Sequence, residues 1–149
     1  MQVEQFLEQS ADRSPEKIAL IAEGKKYSYG ELDRICNRLA HLLVAEGIQR
    51  GDRVAIFLEN SAETVISIYA ILKVGAVFLV VNPGTKADKL AYILNNCRAA
   101  ALVSHAKQAE LLHSIEEQAT SLRFLILIAG ESAARAGREW RRHSSGRSP

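Results

Sequence analysis

The stretch that decides the fold is residues 71–96, I-L-K-V-G-A-V-F-L-V-V-N-P-G-T-K-A-D-K-L-A-Y-I-L-N-N. It reads as the end of a helix, a tight turn at Gly75, and an apolar strand over residues 76–81. The Asn-Pro-Gly break then leads into a helix to about residue 96, which Thr85 and Asp88 are placed to cap. Helix, buried strand and helix in this order favour an α/β fold.

Apolar runs without polar alternation mark the other buried strands, because a strand of a parallel sheet is covered on both faces. Helical patterns separate these runs, so we predict an α/β class with a mostly parallel sheet flanked by helices and right-handed crossovers. The remaining predicted strands are residues 53–58, residues 100–103 and Phe124–Ile128, of which the last two are the fourth and fifth strands. The helices predicted between strands are residues 60–73 and 106–119.

The N-terminal part is predicted to add a short amphipathic helix and a hairpin. Residues 3–13 place Phe6 and Leu7 on one side of the helix, and a proline follows it. Residues 17–23 are a β-type run that Gly24 turns back into a second strand.

Two helix starts follow the pattern of a hydroxyl or amide residue with glutamate three positions later. Ser28 with Glu31 predicts a capping box, in which each side chain binds a free backbone N–H of the first turn. That helix runs to about residue 46 and stops at Gly47. Asn60 with Glu63 repeats the pattern before a helix that is apolar nearly all round, which suggests burial between the sheet and another layer.

Composition indicates a globular cytoplasmic domain. Hydrophobic residues make up 48% and charged residues 24% of the 149 residues. The N-terminal residues carry acids where a signal peptide would carry bases, and no apolar stretch approaches the roughly 18 residues of a membrane span. Cys36 and Cys97 lack metal-ligand or redox spacing and are interpreted as inert thiols in a reducing compartment.

The last 20 residues differ in composition from the rest of the chain. Residues 1–129 hold 14 basic and 15 acidic side chains, whereas residues 130–149 hold five arginines and two glutamates without apolar periodicity. We predict a partial domain over residues 1–129 and an Arg/Ser-rich disordered tail over residues 130–149. Trp140 among arginines could contact nucleic acid, but a solvated tail is the favoured interpretation. The abrupt change is also what reading past a frame shift would give.

Few residues carry a recognisable chemical pattern. Residues 82–86, N-P-G-T-K, could bind an anion weakly at a helix start, but a turn with a helix cap explains them more simply, and no G-x-x-x-x-G-K-[ST] loop occurs. His113, Glu116 and Glu117 lie on one predicted helical face, which favours a solvated polar surface over a metal site. We therefore assign no catalytic, cofactor-binding or metal-binding residue.

Three segments resemble the adenylate-forming enzymes, the superfamily of acyl-CoA synthetases, luciferases and peptide-synthetase adenylation domains. They are K-Y-S-Y-G-E-L at residues 26–32, G-D-R-V-A-I-F-L-E-N-S at residues 51–61 and L-K-V-G-A-V-F-L-V-V-N-P at residues 72–83. Their order and spacing are similar to those of the family's first core motifs over residues 3–128. Asn82-Pro83, with the segments that follow it, is more similar to the acyl-CoA or fatty-acyl-AMP branch than to the amino-acid-activating branch.

The resemblance implies a reaction in two steps. A carboxylate attacks the α-phosphate of ATP with Mg²⁺ to give an acyl adenylate and pyrophosphate, and a thiol such as CoA then takes the acyl group. The family's Ser/Thr/Gly-rich Pro-Lys-Gly loop, ribose-binding Asp and C-terminal Lys have no counterpart in the sequence. The matching residues are interpreted as scaffold, with Gly75 in a turn, Pro83 ending a strand, and Tyr27 and Tyr29 packing.

These observations lead to the expectation of a truncated N-terminal fragment of an AMP-dependent acyl-CoA synthetase that is inactive alone. ATP, Mg²⁺ and CoA belong to the full-length family and not to this fragment. The alternative is a non-catalytic interaction module, or half of a split ligase that pairs with a separately encoded remainder. An unpaired outer strand and apolar helix face are expected to favour aggregation.

Overall fold

The computed structural model describes residues 3–22, 24–59 and 61–128. These residues form five α-helices, six strands and one short 3-10 helix. In chain order the elements are α1 (Val3–Arg13), β1 (Ile18–Ala22), β2 (Lys25–Ser28), α2 (Tyr29–Ala45), β3 (Arg53–Phe57), α3 (Ala62–Lys73), β4 (Val77–Val80), α4 (Ala87–Asn96), β5 (Ala101–His105), the 3-10 helix (Ala106–Gln108), α5 (Ala109–Ser114) and β6 (Phe124–Ile128).

Four of the strands form one parallel sheet in the order β4-β3-β5-β6. In the centre, Val54 of β3 lies opposite Phe78 of β4 on one side and Ala101 of β5 on the other. The predicted α/β class and parallel sheet are confirmed. β1 pairs with β2 in a separate antiparallel hairpin, also as predicted. Because β1 does not join the parallel sheet, β6 is the fourth and not the fifth strand of that sheet.

Helices cover both faces of the sheet. α1, α2 and α3, here called the first helical layer, pack together and against the face that carries Val54 and Ile56. α4 and α5, the second helical layer, pack through residues such as Leu94 and Leu112 against the opposite face, which carries Ala55. α3 contacts the sheet on one side and α1 and α2 on the other, so its predicted burial between two layers is confirmed.

A buried lysine joins the three helices of the first helical layer. The Lys73 ammonium at the end of α3 lies 2.9 Å from a carboxylate oxygen of Glu8 on α1 and 2.9 Å from one of Asp33 on α2, and its side chain is 6% exposed. Burial opposes the charged form and is the largest single effect, but the hydrogen bonds and negative charges of Asp33 and Glu8 together outweigh it and raise the pKa of Lys73. Beside this cluster, burial raises the pKa of the Cys36 thiol to about 12, so this cysteine is an inert thiol.

The cap of α2 forms as the sequence indicates. The Ser28 hydroxyl accepts a hydrogen bond from the Glu31 N–H, and the Glu31 carboxylate accepts one from the Ser28 N–H, both at 3.2 Å. At the other end, Gly47 has φ +98°, a value that favours glycine, so the chain leaves the helix there. Both predicted ends of α2 are therefore confirmed.

Gly75 makes the turn between α3 and β4. Its φ is +77°, and a Cβ added there would lie 3.2 Å from Cγ of Arg50. The positive φ favours glycine here, and the exposed Arg50 side chain would have to shift slightly for any larger residue. Tyr27 and Tyr29 pack against the apolar cluster of the first helical layer, as predicted.

Two predictions about helices are wrong. Leu7 is 2% exposed, whereas Phe6 is 55% exposed, because neighbouring residues in a helix point about 100° apart and only one of them can face α2. The helix predicted over residues 106–119 is much shorter. After Ser114 the backbone changes to i→i−3 hydrogen bonds, such as Ile115 N–H to the Leu112 carbonyl at 3.2 Å, and this tightening ends the helix.

Some predictions concern residues that the structure does not describe. Asn60 is one, although Ser61 precedes α3 in the N-cap position without a side-chain cap hydrogen bond. The predicted tail over residues 130–149 and the frame-shift hypothesis also lie outside the described residues. Among the helices of the described part, none is long and apolar enough to cross a membrane.

Candidate functional site

The strand order creates a switch point between β3 and β5. The chain leaves β3 through α3 on one face of the sheet and leaves β5 through α5 on the other face. Adjacent crossovers that lie on opposite faces leave a crevice beyond the carboxyl ends of the two central strands. Ligands of open α/β sheets bind in such crevices, so the ends of β3 and β5 mark the candidate site.

A crevice of about 400 Å³ opens at this place, between the strand ends, the start of α3 and the hairpin. We call it the switch-point crevice. The residues that line it are Ala22, Lys25, Tyr27, Phe57, Leu58, Glu59, Ser61, Ala62, Glu63, His105, Lys107 and Gln108.

A buried hydroxyl holds the floor of the switch-point crevice. Ser104, near the end of β5, is fully buried and donates a hydrogen bond of 2.7 Å to the carbonyl of Phe57, the last residue of β3. Because a buried carbonyl needs a partner, this bond fixes the two strand ends against each other. The crevice therefore has a rigid base.

The loop from β3 to α3 forms one wall. The Glu59 carbonyl accepts hydrogen bonds from the hydroxyls of Ser61 at 2.9 Å and Thr64 at 2.8 Å, which shape the entry into α3. Unpaired N–H groups of the first turn of α3 lie at this wall, where the helix dipole is positive. The carboxylate of Glu63 occupies the same turn and offsets that field.

The segment after β5 forms the opposite wall. Nδ1 of His105 accepts a hydrogen bond from the Lys107 N–H at 3.1 Å, so the ring proton is on Nε2 when His105 is neutral. At the hairpin, the Lys25 ammonium lies 5.1 Å from the centre of the Tyr27 ring, within range of a cation–π contact.

The lining of the switch-point crevice is polar and carries charges of both signs. Two lysines and two glutamates balance one another in the lining. In the described part of the chain, no three His, Cys, Asp or Glu side chains are grouped so that they could hold a metal ion. The pKa shifts described above fall in the first helical layer and not at the switch-point crevice.

Residues 82–86 form a backbone turn, as the favoured interpretation predicted. The Asn82 side-chain oxygen accepts a hydrogen bond from the Gly84 N–H at 2.8 Å, and the Asn82 carbonyl accepts one from the Thr85 N–H at 3.0 Å. Because Thr85 is part of this turn, α4 starts two residues later and Lys86 takes the N-cap position. The predicted cap by Thr85 and Asp88 is wrong.

The predicted polar face of His113, Glu116 and Glu117 is only partly correct. α5 ends at Ser114, so the two glutamates lie in the following turns. Glu116 is 5% exposed, and its carboxylate lies 3.1 Å from Nδ1 of the exposed His113. A fully solvated surface was therefore the wrong interpretation for Glu116, while Glu117 is exposed as expected.

The lining of the switch-point crevice was missed in the sequence. His105 is the last residue of β5, and Glu59 comes two residues after the end of β3. Polar residues at the carboxyl ends of two parallel strands were the available signal. The sequence alone does not show that β3 and β5 are neighbours. The polar residues at the two strand ends could therefore not be assigned to one site.

Comparison with known proteins decides the family. The family model described as AMP-binding enzyme matches residues 7–147. The chain belongs to the AMP-binding enzyme family. The expected membership of the adenylate-forming enzymes is therefore confirmed, and the matched range extends into the predicted tail.

Relatives of this chain include both peptide synthetases and CoA ligases. Tyrocidine synthase 2 of Brevibacillus parabrevis is 37% identical over 116 residues, which are 78% of this chain and 3% of that protein. An anthranilate CoA ligase solved with anthranoyl-AMP has a TM-score of 0.81 and 25% identity, covering 96% of this chain and 27% of that chain. The N-terminal subdomain of NpsA from Klebsiella oxytoca, solved with anthranilyl-AMSN, has a TM-score of 0.64 and 33% identity, covering 68% of this chain and 26% of that one.

This chain thus spans only a small part of the proteins it matches. The fold agrees with the N-terminal part of an adenylate-forming enzyme. The narrower expectation of an acyl-CoA synthetase does not follow from these matches, because peptide synthetases are among the relatives with the higher sequence identity.

Proposed function

We propose that this chain forms the first portion of the large domain of a cytoplasmic adenylate-forming ligase, which converts a carboxylic acid and ATP to an acyl adenylate and pyrophosphate. The observation that carries the proposal is the family match over residues 7–147. The role of the described residues is to build the parallel sheet and one end of the cleft beyond its carboxyl edge.

The described residues do not fit ATP and Mg²⁺ on their own. The switch-point crevice contains no glycine whose backbone could approach a triphosphate, and both of its glutamates flank the start of α3, where a phosphate would otherwise be attracted. No described cluster of acidic or histidine side chains could hold the metal. We therefore expect the catalytic groups to come from outside the described residues.

For the acceptor we propose CoA, in an acyl-CoA synthetase. The fold supports this choice, because the anthranilate CoA ligase matches 96% of the chain with a TM-score of 0.81. Asn82-Pro83 at the end of the β4 segment supports it as well. Since the ligands of both solved relatives derive from anthranilate, an aromatic acid is the first substrate to test, followed by fatty acids.

A second candidate acceptor is the thiol of a carrier protein in a peptide synthetase. The observation that favours it is the 37% identity to tyrocidine synthase 2. An amino acid would then replace the simple carboxylic acid as the substrate.

The experiment measures pyrophosphate release from ATP with Mg²⁺ and a panel of aromatic, fatty and amino acids. The purified chain is assayed alone and with the remaining portion of the anthranilate CoA ligase, expressed without the segment that this chain matches. We expect no release by the chain alone and release by the mixture. Pyrophosphate release by the chain alone would contradict the expectation that the catalytic groups lie outside the described residues. If no condition gives an acyl adenylate, the proposed function is wrong. CoA and a carrier protein added to an active mixture then distinguish the two acceptors.

A further inference from the structure

Four exposed arginines collect at the amino ends of the parallel strands, at the opposite end of the sheet from the switch-point crevice. Arg53 begins β3 and Arg123 directly precedes β6, while Arg50 and Arg98 lie in the segments that lead into β3 and β5. Backbone hydrogen bonds join these segments, from the Arg123 N–H to the Ala100 carbonyl at 2.8 Å and from the Ala100 N–H to the Arg53 carbonyl at 2.7 Å. We call the four arginines the arginine edge.

Side-chain contacts show that the arginine edge is a row. Arg50 lies over Gly75, which leads into β4, with its Cγ 3.2 Å from the place of a Cβ there. Arg53 donates a hydrogen bond of 2.8 Å to the carbonyl of Cys97, which leads into β5 and is bonded to Arg98. Because β4 and β5 flank β3 on opposite sides, these contacts spread over two strand spacings, roughly 10 Å. The row is therefore too wide to surround one small anion.

Positive charge exceeds negative charge on this surface. Besides the four arginines, four acids occur in the segments that lead into the strands, which are residues 46–53, 74–76, 97–100 and 115–123. Glu46 and Glu116 are buried, at 9% and 5% exposure. Asp52 accepts a hydrogen bond of 2.8 Å from Arg123, and Glu117 is exposed. Four positive charges thus meet two negative ones here, although residues 1–129 as a whole carry net charge −1.

The fold itself explains only part of the arginine edge. α2, α3 and α4 end at this side, where a helix dipole is negative, and Arg53 binds a last carbonyl of α4. The guanidiniums of Arg50 and Arg98, however, make no hydrogen bond or ion pair with another described residue. Arg98 is also the one described residue other than glycine with a positive φ, +55°, where glycine or asparagine usually ends a helix. A strained arginine without a contact in its own chain is a candidate for binding.

The chemistry of the row indicates what it binds. An apolar partner surface would bury unpaired guanidiniums, which is unfavourable, so the partner must supply acceptors with negative charge. Several separate carboxylates suit a row of this width, and the Asp52 carboxylate repels a dianionic phosphate more strongly than a single carboxylate. Nucleic acid fits less well, because domains that bind it are strongly basic as a whole.

We propose that the arginine edge is a docking surface for an acidic segment of a partner protein, a stretch of chain with several Asp or Glu side chains. Its carboxylates bind the guanidiniums of Arg50 and Arg98, which can each form two parallel hydrogen bonds with a carboxylate. Docking at this end of the sheet leaves the switch-point crevice accessible. The inference goes beyond the proposed function and does not depend on it.

The test is an NMR titration of the full chain with a peptide of six glutamates, and with a peptide of six glutamines as the uncharged control. We expect the glutamate peptide to shift the amide signals of Gly51, Arg98 and Arg123, and added salt to weaken its binding. No shift at these amides would overturn the proposal. Shifts confined to residues 130–149, which hold five further arginines, would overturn it as well.

Charge variants test the surface against general attraction. Arg50→Gln with Arg98→Gln should weaken binding of the glutamate peptide at least about fivefold. Arg34→Gln with Arg38→Gln, at two exposed arginines of α2, removes the same charge and should weaken it less than about twofold. Equal effects of the two pairs would contradict the site. Asp52→Asn keeps an acceptor for the Gln49 N–H and should strengthen binding, whereas weaker or unchanged binding would count against the proposal.

Two further measurements separate binding from folding and identify the ligand class. Arg98→Gly suits the positive φ, so the thermal transition should stay or rise while the affinity for the glutamate peptide falls. Unchanged affinity would remove Arg98 from the site and defeat the proposed row. Inorganic triphosphate and single-stranded oligothymidylate then compete with the bound peptide. If either displaces it at a lower concentration than unlabelled glutamate peptide does, the surface binds phosphate and the proposal is wrong.

Discussion

The two helical layers cover opposite faces of the same sheet but are held in different ways. The first helical layer contains the Lys73 ammonium, which contacts both other helices of the layer, and the buried Cys36 thiol. The second helical layer packs through apolar residues such as Leu94, and its ion pair involves the exposed His113. Ion pairs thus join the three helices of one layer, whereas in the other layer α4 is joined to the segment after α5 by uncharged hydrogen bonds, such as that from the Asn95 amide to the Gln118 carbonyl at 2.6 Å.

The largest expected effect is that of truncating a buried leucine, a feature that both layers share. Leu39 on α2 and Leu94 on α4 are both fully buried. Leu39→Ala and Leu94→Ala should each lower the free energy of unfolding by about 2–5 kcal/mol, because each leaves a cavity. Equilibrium unfolding in urea measures both. A loss below about 1 kcal/mol for one variant alone would mean that the layers also differ in apolar packing.

The next effect concerns the ammonium of the first helical layer. Lys73→Met should lower the free energy of unfolding by about 1–3 kcal/mol, less than for a fully buried pair, because the Glu8 side chain is 48% exposed and water can solvate it. Lys89→Met, at an exposed lysine of α4, is the control and should change it by less than about 0.5 kcal/mol. Equal effects of both variants in urea unfolding would remove the distinction between the layers.

The free energy of unfolding should fall at alkaline pH because of a group in the first helical layer. The pKa of Cys36 is raised from 9.0 to about 12 in the folded chain, so above pH 9 the unfolded chain loses the thiol proton first and stability falls. The loss at pH 10 should be about 1.4 kcal/mol. The raised pKa of Lys73 acts in the same direction, but above its ordinary value of 10.5.

Cys36→Ala isolates the thiol. Between pH 8 and pH 10 the free energy of unfolding of this variant should fall less steeply than that of the natural chain. Cys97→Ala, at the partly exposed second cysteine, controls for the loss of a thiol as such. Parallel slopes for the natural chain and Cys36→Ala would refute the assignment.

The smallest effect tests the cap of the first helical layer. Ser28→Ala removes the acceptor for the Glu31 N–H and should cost about 1 kcal/mol in the free energy of unfolding. Glu31→Gln keeps an acceptor for the Ser28 N–H and should cost clearly less. If thermal unfolding shows that Glu31→Gln costs more than Ser28→Ala, the capping box is not the feature that stabilises this end of α2.

Local patterns in the sequence were enough for much of the fold. Both β3 and β6 are short apolar runs, and the Ser28 cap needs only a partner three residues away. The Lys73 contacts could not be predicted in this way, because Glu8 and Asp33 are 65 and 40 residues distant. The switch-point crevice was equally hidden, because it depends on β3 and β5 being neighbours. The end of α5 was missed because hydrogen bonds, and not residue types, change after Ser114.

The contact between Glu8 and Lys73 also bears on when the chain can fold during its synthesis. The 65 residues between them take roughly 3 to 13 s to synthesise at 5–20 residues per second. α1 leaves the ribosome before α3, so its charged partner does not exist until α3 has been made. Until then α1 can pack only against α2, so a segment that is made early is fixed in place late.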